Sequence, residues 1–89
     1  MLPKIIHYCW FGGNPLPELA QKCIASWRQF FPDYEIKEWN ESNYDVHKIP
    51  YMREAYAAKK YAFVSDYARF DILYAEGGLY FDTDVEVIK

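Results

Sequence analysis

The order of predicted elements indicates an α/β fold built on a mainly parallel sheet flanked by helices. Strand, helix, strand, helices and strand follow one another, which is the order produced when parallel strands are joined by right-handed crossovers. Residues 4–11 are almost continuously apolar, as in a central strand covered on both faces. Residues 63–87 have the pattern of a helix, a Gly-Gly turn, a short apolar strand and two aspartates. These three observations predict the fold class.

Composition limits the classes of function. A chain of 89 residues that is 52% hydrophobic and 20% aromatic can form a core. A formal charge of -3 without a basic stripe argues against nucleic acid as a partner. Cys9 and Cys23 lack a metal-ligand spacing, so we expect reduced, buried thiols. No signal peptide or membrane span is predicted, and we expect a cytoplasmic chain, with peripheral attachment to the inner membrane face as the alternative.

The first half of the chain is predicted to contain two strands and one helix. The strand 4–11 ends in a Gly-Gly turn, and a helix over 18–30 must stop before Pro32. Residues 34–39 alternate apolar and polar, as in a strand with one better-buried face, and residues 40–43 have turn chemistry. The apolar positions of the helix are Leu19, Cys23, Ser26, Trp27 and Phe30.

The second half is predicted to contain two helices and a short strand. A helix over about 51–58 leads into a longer one over 62–76, which Gly77-Gly78 ends before the strand 79–81. The longer helix should pack on the sheet through an aromatic stripe, with a second set of apolar residues beside it. The stripe is Phe63, Tyr67, Phe70 and Tyr74, and the neighbouring set is Val64, Ala68, Ile72 and Ala75.

Two aspartates follow the last predicted strand. In an extended chain, Asp82 and Asp84 point to the same side, at the edge where parallel α/β sheets bind ligands. Paired carboxylates there form a candidate site for a hard divalent cation. If the three strands are neighbours, Trp10 and the 40–43 turn should lie near them.

Several of these residues also have plain structural interpretations. Asp66 and Arg69 are three apart on one helix and can form a simple ion pair. Trp10 is by default a core residue, and His7 within an apolar strand is best interpreted as a hydrogen-bonded core histidine. A D-x-D triplet also occurs in ordinary surface turns. Gly12-Gly13 does not form a dinucleotide-binding fingerprint.

Three motifs in order carry a resemblance to a known family. They are Ile5-Ile-His-Tyr-Cys-Trp-Phe-Gly-Gly13, Ser65-Asp66-x-x-Arg69 and Gly77-Gly-Leu-Tyr-Phe-Asp-Thr-Asp84. With them the chain resembles glycosyltransferases whose sugar-binding region contains the DXD motif, including yeast-type mannosyltransferases, capsular polysaccharide transferases and glucosylating bacterial toxins. The resemblance implies a Rossmann-like GT-A fold. Residues 1–89 would be the amino-terminal, donor-binding part of a longer domain.

The resemblance also implies a reaction and its cofactor. The donor would be a nucleotide-diphosphate sugar, UDP- or GDP-linked, the cation Mn2+ or Mg2+, and the acceptor a glycan or another molecule, with retention of anomeric configuration, as in polysaccharide biosynthesis. Asp84 would bind the metal directly, and Asp82 would contact the ribose or sugar and reach the metal through water. The residues implied to hold the donor are Trp10 against the base and Asp66 and Arg69 at the sugar and phosphates. Ser65 and Asn43 are implied as further substrate-binding residues.

Elementary chemistry agrees with these implied roles. The leaving diphosphate gains negative charge as the glycosidic bond breaks, so a cation and an arginine stabilise it. The resemblance implies Asp66, Arg69, Asp82 and Asp84 as the candidate catalytic residues, and this chemistry agrees with the roles of Arg69 and Asp84. Two features depart from the family pattern: its downstream metal ligand and acceptor site would lie beyond Lys89, and the residue before Trp10 is a cysteine.

Two alternatives stay open at this point. The segment around Asp82 and Asp84 also resembles the haloacid-dehalogenase phosphohydrolase motif, in which the first aspartate is a nucleophile and the second a general acid. The other alternative is a non-catalytic domain that binds a nucleotide sugar or a protein partner.

Overall fold

The architecture is a three-stranded parallel sheet with helices on both faces. The structure, a computed structural model, describes residues 3–88. The sheet order is β2-β1-β3, with β1 pairing in parallel with both neighbours. The predicted α/β class is therefore confirmed. The elements are β1 (Ile5–Cys9), α1 (Glu18–Phe30), β2 (Glu35–Trp39), α2 (Pro50–Ala57), α3 (Tyr61–Glu76) and β3 (Leu79–Tyr80).

The central position of β1 explains why its sequence is apolar throughout. Alternate residues of a strand point to opposite faces, and both faces of β1 are covered. Ile6 and Tyr8 face one core with α1, whereas Cys9 faces the other with α2 and α3. All three side chains are buried. Each helix within residues 3–88 is too short or too polar to span a lipid bilayer.

Helix α3 packs on the sheet through a different face from the one predicted. Its buried residues are Val64, Ala68 and Ile72, whereas Phe70 is 66% exposed and Tyr74 is 93% exposed. The predicted aromatic stripe is therefore wrong as the core face of this helix. Because α3 is apolar on two faces, periodicity could not select between them, and the smaller side chains of the buried face let the helix approach the sheet more closely.

A smaller difference of the same kind occurs in α1. Cys23, Ser26 and Trp27 are buried as predicted, but Leu19 is 60% exposed and Phe30 is also exposed. Their places in the core are taken by Ala20 and Ile24. The helix bounds, by contrast, are those predicted.

His7 is a core residue with both ring nitrogens hydrogen-bonded. The indole N–H of Trp39 donates to His7 Nδ1 at 3.0 Å, and His7 Nε2 lies 2.8 Å from the carbonyl oxygen of Gly77. Because an indole nitrogen can only donate, Nδ1 must accept, and the proton is on Nε2, which donates to Gly77. The structural interpretation of His7 is therefore confirmed.

The Gly77-Gly78 turn brings β3 against β1. Gly78 has a φ of +90°, and a Cβ there would lie 2.7 Å from the carbonyl oxygen of Ile5. Only glycine fits both the backbone conformation and this close approach. The turn therefore delivers the segment after β3, including Asp82 and Asp84, to the carboxyl edge of the sheet.

Candidate functional site

A cavity of about 440 Å³ opens at the carboxyl edge of the sheet, between the ends of β1 and β3 and the start of α3. This is the edge at which parallel α/β sheets bind ligands. The residues from the predicted site that line it are Trp10, Ser65, Asp66, Asp82 and Asp84. The structure thus brings together residues that are up to 74 positions apart in the sequence.

Trp10 is held at the rim of this cavity. It directly follows β1, and its backbone N–H still donates to the carbonyl of Trp39 at 2.9 Å. The indole N–H donates to the carbonyl of Asn14 at 2.7 Å, across the Gly-Gly turn. The ring is half-buried and lines the cavity. One edge of the ring is therefore fixed at the cavity.

Asp82 and Asp84 lie in a turn, which differs from the extended segment predicted. Phe81 N–H donates to the carbonyl of His7 at 3.0 Å and continues the pairing of β3 with β1. The chain then reverses, and Val85 N–H donates to the carbonyl of Asp82 at 3.0 Å. Both aspartates are exposed and line the cavity.

The segment after this turn is attached to α1. Trp27, fully buried, donates its indole N–H to the carbonyl of Val85 at 2.7 Å. The N–H of Val87 donates to Ser26 Oγ at 2.9 Å. These bonds fix the exit of the turn to a helix on the opposite face of the sheet, and no local sequence pattern indicates them.

The first turns of α3 form the opposite wall. Ser65 and Asp66 line the cavity, and Ser65 Oγ donates to the carbonyl of Tyr61 at 3.1 Å. Arg69 is not a lining residue. Its guanidinium lies over the ring of Tyr80, 5.8 Å from the centroid, and Tyr80 does line the cavity. Among the ion pairs of residues 3–88, none joins Asp66 to Arg69, so the simple pair considered above is not formed. Asp66 is exposed and lines the cavity.

Asn43 lies outside the cavity. Its side-chain oxygen accepts from Asn40 N–H at 2.8 Å, and its amide nitrogen donates to the carbonyl of Glu38 at 2.9 Å. It lines another cavity, beside Asp71. The structure therefore does not bring Asn43 to the cavity, and β1 separates β2 from β3 in the sheet. Here Asn43 stabilises a turn.

Cys9 forms an apolar part of the cavity wall. Burial raises the pKa of its thiol to about 11, the nearby Asp82 carboxylate adds to this, and a hydrogen bond with Tyr80 acts in the opposite direction. A thiol with this pKa is not a nucleophile at neutral pH. Cys9 and Cys23 are free and buried, as predicted.

Sequence reasoning missed three aromatic lining residues, Tyr61, Tyr80 and Phe11. A signal was present for the first, since Tyr61 lies four residues before Ser65 and therefore on the same helix face. Tyr80 follows from register, because it pairs with His7 and therefore points to the α3 side of the sheet.

The acidic residues of the cavity can supply part of a metal site. Within residues 3–88, no group of three or more His, Cys, Asp or Glu side chains could hold a metal ion. Asp82 and Asp84 offer exposed carboxylate oxygens at the cavity. This suits Mg2+ or Mn2+, which are commonly held by one or two carboxylates together with substrate phosphates.

Known proteins similar to this chain are glycosyltransferases. Inositol phosphoceramide mannosyltransferase 3 of Schizosaccharomyces pombe is 33% identical over 94% of this chain. An uncharacterized glycosyltransferase of Acanthamoeba polyphaga mimivirus is 30% identical over 96% of it. The chain covers only 24% and 36% of the lengths of these two relatives. No solved structure gives a significant match.

A comparison of the chain with models of protein families gives the same result over most of its length. The model of the glycosyltransferase sugar-binding region containing the DXD motif matches residues 17–89. The matched range includes α3 and the turn with Asp82 and Asp84. The chain therefore belongs to the family of glycosyltransferases whose sugar-binding region contains the DXD motif.

Proposed function

We propose that this chain is the donor-binding region of a glycosyltransferase. It binds a nucleotide-diphosphate sugar together with Mn2+ or Mg2+, and the whole protein transfers the sugar to a glycan or another acceptor with retention. The observation that carries the proposal is the convergence of Trp10, Asp66, Asp82 and Asp84 on one cavity at the carboxyl edge of the sheet.

Each wall of the cavity suits one part of such a donor. The Trp10 ring can stack on a nucleobase, since indole faces bind flat aromatic groups. Asp66 and the Ser65 hydroxyl can accept or donate hydrogen bonds to sugar hydroxyls. Asp84 would hold the cation directly and Asp82 through water, and the bound cation would neutralise charge developing on the leaving diphosphate.

Arg69 requires a small movement to take part. Its guanidinium is placed against Tyr80 and Phe70 rather than at the cavity. A change of side-chain rotamer would bring it towards bound phosphates, for which a guanidinium is well suited. We therefore keep Arg69 as a proposed phosphate contact made on donor binding.

The comparisons favour the glycosyltransferase proposal over the phosphohydrolase alternative. The phosphohydrolase interpretation places a nucleophile and a general acid at Asp82 and Asp84, but the family match over residues 17–89 is to glycosyltransferases. A non-catalytic role differs from our proposal only in the absence of transfer. Sugar transfer by the whole protein to an added acceptor would distinguish the two.

Calorimetric titration of the chain with a panel of UDP- and GDP-sugars tests donor binding. GDP-mannose belongs in the panel because one relative is named a mannosyltransferase. We expect sugars of one nucleotide class to bind, and to bind only when Mn2+ or Mg2+ is present. The same sugars should also quench the tryptophan fluorescence of the chain. A Trp10→Phe variant assigns the quenching, since Trp27 and Trp39 are buried. Absence of binding by every sugar at millimolar concentration would contradict the proposal.

A further inference from the structure

Glu41 joins three segments of the chain through one carboxylate oxygen. It lies in the turn after β2, and its Oε2 accepts from Gly12 N–H at 2.5 Å and from the Tyr56 hydroxyl at 2.8 Å. Gly12 belongs to the loop after β1, and Tyr56 belongs to α2. Hydrogen bonds from an amide and a hydroxyl to a carboxylate are stronger than those between neutral groups.

Gly12 is also held from its other side. It has a φ of +101°, and a Cβ on it would lie 2.6 Å from the Tyr61 ring. The rings of Tyr56 and Tyr61 pack edge to face with centroids 5.6 Å apart. Gly12 therefore lies between the Glu41 carboxylate and the Tyr61 ring, and the Tyr61 ring in turn packs against the Tyr56 ring.

This arrangement controls one wall of the cavity. Gly12 lies two residues after Trp10 and two residues before Asn14. The carbonyl of Asn14 accepts the hydrogen bond from the indole N–H of Trp10. Trp10, Phe11, Asn14 and Tyr61 all line the cavity. A shift of Gly12 would therefore move both Trp10 and Asn14, and with them the wall of the cavity that faces the base. Glu41 itself does not line the cavity.

The Glu41 carboxylate is suited to stay ionised in this role. Burial opposes its ionisation, but hydrogen bonds from Gly12, from the backbone N–H of Glu41 itself and from Tyr56 together outweigh burial and hold the pKa of Glu41 below its ordinary value. The geometry points to the same conclusion independently, since both donors face one oxygen.

We propose that Glu41 is a positioning residue that fixes the Trp10 wall of the donor cavity by holding Gly12. The expected consequence of this role is tighter binding of the nucleotide, and this consequence rests on the proposed function. It assigns a task to a residue outside the cavity and outside the three motifs of the sequence.

The test compares Glu41→Ala, Glu41→Gln and Tyr56→Phe with Glu54→Gln as the control. Glu54 is an exposed acid on α2, so its substitution removes the same charge near the site. In the free chain, the Gly12 amide and Trp10 indole NMR signals should shift in Glu41→Ala, shift less in Glu41→Gln and Tyr56→Phe, and stay unchanged in the control.

The Kd for UDP or GDP with Mn2+ should rise about tenfold in Glu41→Ala and about threefold in Glu41→Gln, because affinity falls steeply when a cavity wall is displaced by a fraction of an ångström.

A second control separates positioning from general destabilisation. Ile72→Val removes a methyl group from the buried face of α3, away from the Glu41 bonds, and should lower the melting temperature while leaving the Trp10 indole signal unchanged. An unchanged Trp10 indole signal in Glu41→Ala would overturn the inference, as would an equal shift in Ile72→Val. If the wild-type chain binds no nucleotide, the proposed function fails, and the signals of the free chain still decide whether Glu41 fixes this wall.

Discussion

Asp82 and Asp84 look alike in sequence, share one turn and line one cavity, yet we assign them different tasks. Asp84→Asn should abolish the metal dependence of nucleotide binding by this chain, since an amide offers a neutral oxygen where the cation needs a charge. Asp82→Asn should weaken binding and leave a metal response. Calorimetric titration of both variants with and without Mn2+ measures the difference.

Thermal melting provides the control for this pair. Both aspartates are exposed, and removing one of two neighbouring carboxylates should leave stability unchanged or slightly higher. Wild-type metal dependence in folded Asp84→Asn would show that this carboxylate does not bind the cation.

The residue Asp71 gives the chain an acid-sensitive contact outside the cavity. Its Oδ2 accepts from Lys48 at 2.5 Å and from the Tyr44 hydroxyl at 2.7 Å. The hydrogen bond from Lys48, and then that from Tyr44, hold the pKa of Asp71 below its ordinary value. A carboxyl with a lowered folded pKa stabilises the fold above its unfolded pKa of about 3.9, and this stabilisation is lost as pH falls through the folded pKa.

Asp71→Asn should therefore reduce stability at pH 6 and have less effect at pH 3. The contribution at pH 6 should be no more than about 1 kcal/mol, because the pair is partly exposed and screened by solvent. Urea unfolding at the two pH values measures it. An equal loss at pH 3 and pH 6 would mean that the Asp71 charge does not contribute.

At the residue scale, sequence reasoning found several cavity residues at strand and helix ends, whereas Asn43 lies outside the cavity. Trp10, Asp82 and Asp84 were predictable because parallel strands end at one edge of a sheet. Asn43 was not, because strand order depends on long-range packing and places β1 between β2 and β3. The hydrogen bond from Gly12 to Glu41 could not be predicted either, because it joins residues 29 positions apart.

At the scale of elements, the clearest test concerns the two faces of α3. Phe70→Ala truncates a large side chain that is 66% exposed, and should change the free energy of unfolding by no more than about 0.5 kcal/mol. Ile72→Val removes one methyl group from a buried residue and should cost about 0.5–1.5 kcal/mol. Urea unfolding of both variants compares them. A larger loss for Phe70→Ala would show that the aromatic face is covered in solution.

The same helix shows what local sequence can and cannot predict. Its end was predictable, because Gly77 has a φ of +71° that favours glycine. Its buried face was not, because apolar residues occupy both sides and only the sheet selects one. The turn that begins at Asp82 was likewise not predictable from local sequence, because Trp27 and Ser26 of α1 form hydrogen bonds with the segment that follows it.

At the scale of the whole molecule, a three-stranded sheet supports a cavity whose walls come from separate parts of the chain. The sheet edge supplies Trp10 and the aspartate turn, and α3 supplies Ser65 and Asp66. The chain spans about a quarter to a third of the length of the two relatives described. Donor binding is therefore the activity to test directly on this chain.

The most direct measurement is an NMR titration of the chain with UDP and GDP, using Mg2+ for chemical shifts and Mn2+ for paramagnetic broadening. With nucleotide present, we expect shifts at Trp10 and Ser65, and Mn2+ broadening centred on residues 82–84. Asp84→Asn should lose the localised broadening. Broadening spread over exposed acidic residues, unaffected by nucleotide and without a shift at Trp10, would contradict the assignment of this cavity as a donor site.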